Sequence, residues 1–166
     1  AINALVVTNL SASASAVTWM MVDWFRNGKP SAVGISVGAV AGMVAITPAS
    51  GYVAPWASLV IGLGAGIASN LVSNWRARTH LDDSLDVFAC HGMGAIWGMI
   101  ATGLFATLEI NAAGGNGLFF GNPGLVSVEA LGVAVVAAES ACVEGTTTHV
   151  ADASRSASRR GPTSTR

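Results

Sequence analysis

The sequence is short of charged residues. Only 10% of its 166 residues are Asp, Glu, Lys or Arg, whereas a soluble domain carries about 25%. Hydrophobic residues make up 52%, and 20 residues are Gly. The composition therefore argues against an ordinary soluble domain and is typical of a membrane protein built from several closely packed helices.

Cysteine is scarce as well, since Cys90 and Cys142 are the only two and neither belongs to a C-x-x-C pair. We expect no disulfide and no metal site from them, and no cofactor. No Ser/His/Asp or Cys/His grouping with a common site is evident, so an enzyme is not predicted. The sequence does not predict a nucleic-acid partner either. The glycines at 62, 64 and 66 lack the G-x-G-x-x-G spacing of a dinucleotide loop.

The apolar runs predict five membrane spans within a domain of residues 1–150. No basic segment of a signal peptide precedes the first run, and the sequence opens without Met, so we expect it to start within a longer structure. The tail is expected to be disordered and cytoplasmic. The spans cover roughly 1–25, 31–47, 53–75, 84–108 and 125–145, and the tail covers 151–166.

The basic residues predict the topology. All eight fall after the first, third or fifth predicted span, and none falls after the second or fourth. Alternate loops lie on the same side of a membrane, so five spans place every cation on one side, which the positive-inside rule makes cytoplasmic. The N-terminus would then lie outside the cell. The eight basic residues are Arg26, Lys29, Arg76, Arg78, Arg155, Arg159, Arg160 and Arg166.

Polar residues inside the first two spans lead to further expectations. Asn9 lies in an apolar run and is expected to need a partner on another helix. Asp23 lies near the end of its span and could reach the membrane interface. Pro30 is expected to open the second span. In that span Gly34, Gly38 and Gly42 recur every four residues, which would let a neighbouring helix approach closely; a generic flexible stretch is the alternative.

His91 is the ionisable residue near the middle of the fourth span. An ionisable side chain at that depth is costly, which favours a functional role, but a core histidine bonded to a neighbouring helix is equally open. On a regular helix His91 would share a face with two residues before it and three after it. These are Val87, Phe88, Gly94, Ala95 and Gly98. We expect no second buried acid or histidine in these 166 residues.

Two long motifs carry a resemblance to a known family. Residues 86–106 follow the pattern DVFxxHGxxxxxGxxxTGxFA, and residues 28–52 follow GKPSxxGxxxGAxAGxVxxTPAxGY. These segments resemble the ammonium transporter family (Amt/Mep/Rh), with the bacterial and archaeal Amt branch fitting best. The likeness extends over about residues 1–138.

The resemblance implies an all-α bundle similar to helices seven to eleven of an eleven-helix fold. It also implies ammonium or ammonia transport across the cell membrane, and a trimer with one pore in each subunit. His91 corresponds to the second of two paired pore histidines, and Val87 would line the inner part of the same pore. A nitrogen-signalling protein regulates some members, although the tail here departs from the family.

The sequence also departs from the family in extent. Helices corresponding to the first six, with the partner histidine, have no counterpart in these 166 residues. The fifth span loses its family character after Ala138, which suggests a disrupted reading frame. The alternative to a transporter is therefore a non-transporting membrane fragment, either inert or associated with an intact homologue.

Overall fold

A computed structural model describes residues 2–78 and 87–139 of the chain. This part of the chain contains five helices and no strand, so the predicted all-α fold is confirmed. A π-helical turn, Phe88–Gly92, leads directly into the fourth helix, and a 3-10 turn, Leu118–Phe120, precedes the fifth. The helices are α1 (Ile2–Asn27), α2 (Ala32–Ile46), α3 (Pro55–Arg76), α4 (Met93–Phe105) and α5 (124–139).

Three of these helices are long and apolar enough to cross a membrane. They are α1, α3 and the continuous helix Phe88–Phe105, which joins the π-helical turn to α4. The α2 helix is apolar but has only 15 residues, as expected for the short second span. Of the predicted fourth and fifth spans and the tail, residues 84–86, 140–145 and 151–166 lie outside the described residues.

The chain divides into two compact units, Ala1–Ala130 and Leu131–Arg166. In the first unit lie α1 to α4, the loop that follows α4, and the start of α5. In the second, residues 131–139 are described, and they are helical. The features discussed below all belong to the first unit.

The turn between α1 and α2 explains why α2 begins where it does. Gly28 has a φ of +73°, and its N–H donates to the Trp24 carbonyl at 3.0 Å, which closes α1. The Ser31 hydroxyl then accepts from the Gly34 N–H at 3.3 Å and caps α2. Pro30 therefore precedes the cap, and the expectation that Pro30 opens the second helix was wrong.

Small residues bring α1 into close contact with α2 on one side and α3 on the other. The Ser11 hydroxyl donates to the Gly42 carbonyl at 2.9 Å, and the Ser15 hydroxyl donates to the Gly38 carbonyl at 2.6 Å. On the α3 side, a Cβ added to Gly66 would lie 2.8 Å from the Ser15 carbonyl oxygen. The prediction that the α2 glycines admit a neighbouring helix is confirmed.

The α1 and α3 helices run in the same direction. Near their C-terminal ends the Asn70 amide donates to the Asp23 carboxylate at 2.9 Å. Near their opposite ends, the Asn3 amide donates to the Val53 carbonyl just before α3, at 3.2 Å. Arg26 and Arg76, each in the last turn of its helix, therefore lie at the same end of the bundle.

The α4 helix packs against α2 and α3 through a tryptophan and a glycine. The indole N–H of Trp97 donates to the Ile61 carbonyl in α3 at 2.9 Å. Gly98 lies against the Ala45 backbone in α2, where a Cβ would collide with the Ala45 carbonyl. These contacts hold the helix that carries His91 against the small-residue core, whose fully buried members include Val7, Ala45, Ile61 and Ala101.

Candidate membrane-pore site

His91 lies in a widened turn at the start of the fourth helix. In the segment Phe88–Gly92 the hydrogen bonds run from residue i+5 to residue i, and the Met93 N–H donates to the Phe88 carbonyl. Such π-helical turns occur as short interruptions of α-helices and often mark functional sites. The turn changes the angular position of the side chains that follow it relative to a regular α-helix.

The side chain of His91 is exposed on the surface of this chain. Val87 and Phe88 are 51% and 56% exposed, and the three residues form one exposed surface at the start of the fourth helix. No residue in the described part of the chain donates to or accepts from the imidazole. Within residues 2–78 and 87–139, His91 is therefore not a core histidine bonded to a neighbouring helix.

The face that the sequence assigned to His91 is only half correct. Val87 and Phe88 are exposed with the histidine, but Gly94 and Gly98 are buried. A Cβ at Gly94 would lie 3.3 Å from a Val44 methyl group, so that position faces α2. The π-helical turn is the cause, because its extra residue rotates α4 relative to the segment before it.

Cys90 points away from His91. Its side chain is 4% exposed, and its sulfur lies 3.9 Å from the Val37 carbonyl in α2. A buried thiol directed at α2 cannot act together with an exposed imidazole, as the sequence predicted. No group of three or more His, Cys, Asp or Glu residues that could hold a metal occurs among the described residues.

Sequence reasoning missed a buried carboxylate at the basic end of the bundle. Asp23 is 7% exposed and accepts from Asn70, and the Asn74 amide in turn donates to the Asn70 side-chain oxygen at 2.8 Å. The expectation that no second buried acid exists was therefore wrong, and the Asp23 side chain is directed into the bundle. The signal lay in the paired asparagines four residues apart on α3, which offer amides to an acid on a neighbouring helix.

Asn9 also differs from its expectation. It is exposed, and its amide donates to the Leu5 carbonyl of its own helix at 2.9 Å, so among the described helices its partner lies on α1 itself. An i to i−4 bond of this kind satisfies a polar group inside an apolar segment without tertiary contacts.

Sequence profiles and solved structures identify the family. The profile of the Ammonium Transporter Family matches residues 1–155. The ammonium transporter Amt1 of Archaeoglobus fulgidus is 47% identical over 134 residues, and the ammonium transporter of Bacillus subtilis is 44% identical over 135. Each match covers 81% of this chain.

Crystal structures of yeast proteins have the same fold. A Mep2 variant of Candida albicans superposes with a TM-score of 0.77 at 39% identity, and Mep2 of Saccharomyces cerevisiae with 0.76 at 35%. These matches cover 82% and 80% of this chain, and 35% and 31% of the yeast chains. The chain also spans only 34% and 33% of the two curated relatives. With its helical fold and membrane-length apolar helices, the chain belongs to the Ammonium Transporter Family.

Proposed function

We propose that this chain forms part of a pore that conducts ammonium or ammonia across the cell membrane, with His91 and Val87 in the pore wall. The observation that carries the proposal is the exposed imidazole of His91. It projects from a membrane-length helix, beside Val87, and no described residue of the chain hydrogen-bonds to it. An ionisable side chain in a membrane helix normally faces a polar partner or a conduction path rather than lipid.

The chemistry of imidazole fits this substrate. A bare cation is expensive in a narrow apolar pore, whereas neutral ammonia accompanied by a relayed proton costs less. A neutral imidazole offers one hydrogen-bond donor and one acceptor, so it can bind ammonia or pass a proton along a chain. The apolar neighbours Val87 and Phe88 would keep the path dry, which favours the uncharged species.

The distribution of cations supports an orientation with the α1 and α3 C-termini in the cytoplasm. Arg26 and Arg76 lie at one end of the bundle, Lys29 follows α1, and Arg78 follows α3. The positive-inside rule places that end inside the cell, and the N-terminal end of α1 then faces outward. The pore is further proposed to belong to a homotrimer. The proposal does not extend to a regulatory protein, because the tail differs from the family pattern.

A chimera tests the proposal. The matching 134-residue segment of the Archaeoglobus Amt1 is replaced by the corresponding part of this chain, and uptake of labelled methylammonium is measured in proteoliposomes. The parent chimera should take up the label. His91→Ala should lower the rate by about tenfold to a hundredfold, since a hydrogen bond that involves a charged group contributes about 1.5–3 kcal/mol.

Cys90→Ala provides the matched control, because Cys90 is adjacent in sequence but directed into the contact with α2. It should retain uptake, and both variants should unfold at the temperature of the parent chimera. Transport by the chimera that is unaffected by His91→Ala would rule out His91 as a pore residue. A well-folded chimera without uptake would contradict the proposed function of the chain.

A further inference from the structure

The π-helical turn Phe88–Gly92 determines which side chains before α4 face the bundle and which are exposed. The α4 helix that follows it is fixed at three points. Gly94 and Gly98 lie against α2, and the Trp97 indole donates to the Ile61 carbonyl in α3 at 2.9 Å. Because α4 is held in this way, the geometry of the turn sets the directions of the residues that precede α4.

A regular α-helical turn would give a pattern of burial that differs from the observed one. Each residue of an α-helix turns by about 100°, so Val87, seven residues before Gly94, would point within about 20° of α2. Ala89, five residues before Gly94, would point about 140° away from α2. The structure shows the reverse, because Val87 is 51% exposed and Ala89 is fully buried.

The extra residue of the π-helical turn accounts for this reversal. The turn fits one more residue into the rotation of an α-helical turn, so the residues before it are shifted by about 100° relative to α4. Val87 is thereby carried to about 120° from α2. Ala89, inside the turn, comes to lie about 60° from α2 on the side of Trp97, which faces α3. The turn contacts both α2 and α3, so Ala89 is covered there.

The same extra residue directs His91 outward. On a regular turn His91 would point about 60° from Gly94, between the directions of Gly98 and Thr102. Both of those residues are buried in α4. The π-helical turn carries His91 about 40° further from α2, and its side chain is exposed.

We propose that Ala89 is a positioning residue for His91. As the extra residue before the histidine in the π-helical turn, it directs the imidazole away from α2 and into the exposed surface. The consequence for conduction rests on the proposed pore, whereas the direction of the imidazole does not.

Two single-residue deletions in the turn have opposite effects on His91. Each removes the extra residue and restores a regular turn. Without Ala89, the histidine is one position closer to Phe88 and keeps its spacing to α4, so it points about 60° from α2, toward the bundle. Without Gly92, the histidine moves one position closer to α4 and points about 160° from α2, which keeps it exposed.

The test measures thiol reactivity in the full chain in detergent micelles. The two natural cysteines are replaced by Cys90→Ala and Cys142→Ala, and Val87→Cys, Ala89→Cys and His91→Cys are then made singly and treated with N-ethylmaleimide. Val87→Cys and His91→Cys should react readily. Ala89→Cys should react at least about tenfold more slowly, because a buried thiol reacts only after local opening. Faster reaction of Ala89→Cys than of Val87→Cys would indicate a regular turn and overturn the proposal.

The deletions are then introduced into the His91→Cys protein. Deletion of Ala89 should slow the labelling by roughly tenfold, whereas deletion of Gly92, the matched control, should leave it fast. Equal effects of the two deletions would overturn the proposal, because general disruption of the turn would not distinguish them. Unfolding followed by tryptophan fluorescence identifies a variant that does not fold, and the comparison of Val87→Cys with Ala89→Cys then decides alone.

The consequence for transport is measured in the Amt1 chimera. Deletion of Ala89 should lower methylammonium uptake about as much as His91→Ala does. The two changes together should lower it no further, since a residue that acts through another is not additive with it. Additive losses would contradict a role of Ala89 through His91. A chimera that takes up no label would contradict the proposed function and leave the labelling result unaffected.

Discussion

The close contact of Gly42 in α2 with the backbone of α1 gives a prediction that can be worked out from the structure. At Gly42, an added Cβ would lie 2.6 Å from the Ser11 carbonyl oxygen, 2.6 Å from the Ser15 Cβ and 3.0 Å from the Ala12 Cα. Two of these atoms are backbone and cannot rotate away. Gly42→Ala therefore requires α1 and α2 to move apart by about 1 Å to reach ordinary van der Waals separations of 3.5–4.0 Å.

A separation of that size also affects the hydrogen bonds across the interface. The bonds from Ser11 to the Gly42 carbonyl and from Ser15 to the Gly38 carbonyl, now 2.9 and 2.6 Å, would stretch beyond useful length. Each is worth about 0.6 kcal/mol in a membrane protein, and overpacking costs about 1–3 kcal/mol. The gain in helix propensity on replacing Gly by Ala is about 1 kcal/mol. The net loss of unfolding free energy should be about 1–3 kcal/mol.

Gly94→Ala is the matched control, because it makes the same chemical change in another helix. Its added Cβ would lie 3.3 Å from a Val44 methyl group and 3.5 Å from the Ala41 carbonyl oxygen, which is nearly ordinary contact. Unfolding by sodium dodecyl sulfate in mixed micelles, followed by tryptophan fluorescence, compares the two variants. Gly42→Ala should unfold at a lower detergent fraction than the parent, and Gly94→Ala at the same or a higher one. The reasoning is refuted if the two variants shift equally or if Gly42→Ala is the more stable.

The remaining predictions use the same unfolding assay. Asp23→Ala should destabilise the bundle by about 1–3 kcal/mol because the buried Asn70 amide loses a charged acceptor, whereas Asp23→Asn, which keeps an acceptor, should cost less. If Asp23→Ala lowered the unfolding free energy less than Asp23→Asn does, a structural role for the Asp23–Asn70 hydrogen bond would be contradicted. Trp97→Phe should lower the unfolding free energy by about 1 kcal/mol, because the indole hydrogen bond to the Ile61 carbonyl is lost. The added Cβ of Gly64→Ala would overlap the Trp97 ring. This substitution should therefore lower the unfolding free energy less in a Trp97→Ala protein than in the parent, and equal losses in the two proteins would refute the contact.

The sequence predicted most of the helical architecture because hydropathy and glycine spacing are local signals. The five apolar runs, the short α2 and the smooth Gly34–Gly38–Gly42 face all follow from residues close together in the chain. The cap at Ser31 was missed in favour of Pro30, since either residue can begin a helix and only the geometry of the turn decides between them.

The candidate site was less predictable, because the direction of a side chain depends on the packing of the whole bundle. Val87 and His91 share an exposed surface as expected, but the π-helical turn at Phe88–Gly92 turns Gly94 and Gly98 toward α2. No residue pattern in that segment distinguishes a π-helical turn from a regular one. The buried Asp23 depends on Asn70, 47 residues away, so no local window contains both partners.

His91 and Asp23 together show how depth along a span and burial within a bundle differ. His91 lies in the interior of its apolar run and is exposed, whereas Asp23 lies near the end of its helix and is buried. Hydropathy reports the first quantity, and helix packing determines the second. A polar residue that the bundle buries with a partner serves the fold, as Asp23 does with Asn70. A polar residue that a membrane helix exposes without a partner must be satisfied by something other than its own bundle. This distinction assigns Asp23 to stability and leaves His91 as the residue through which the chain would meet a permeant.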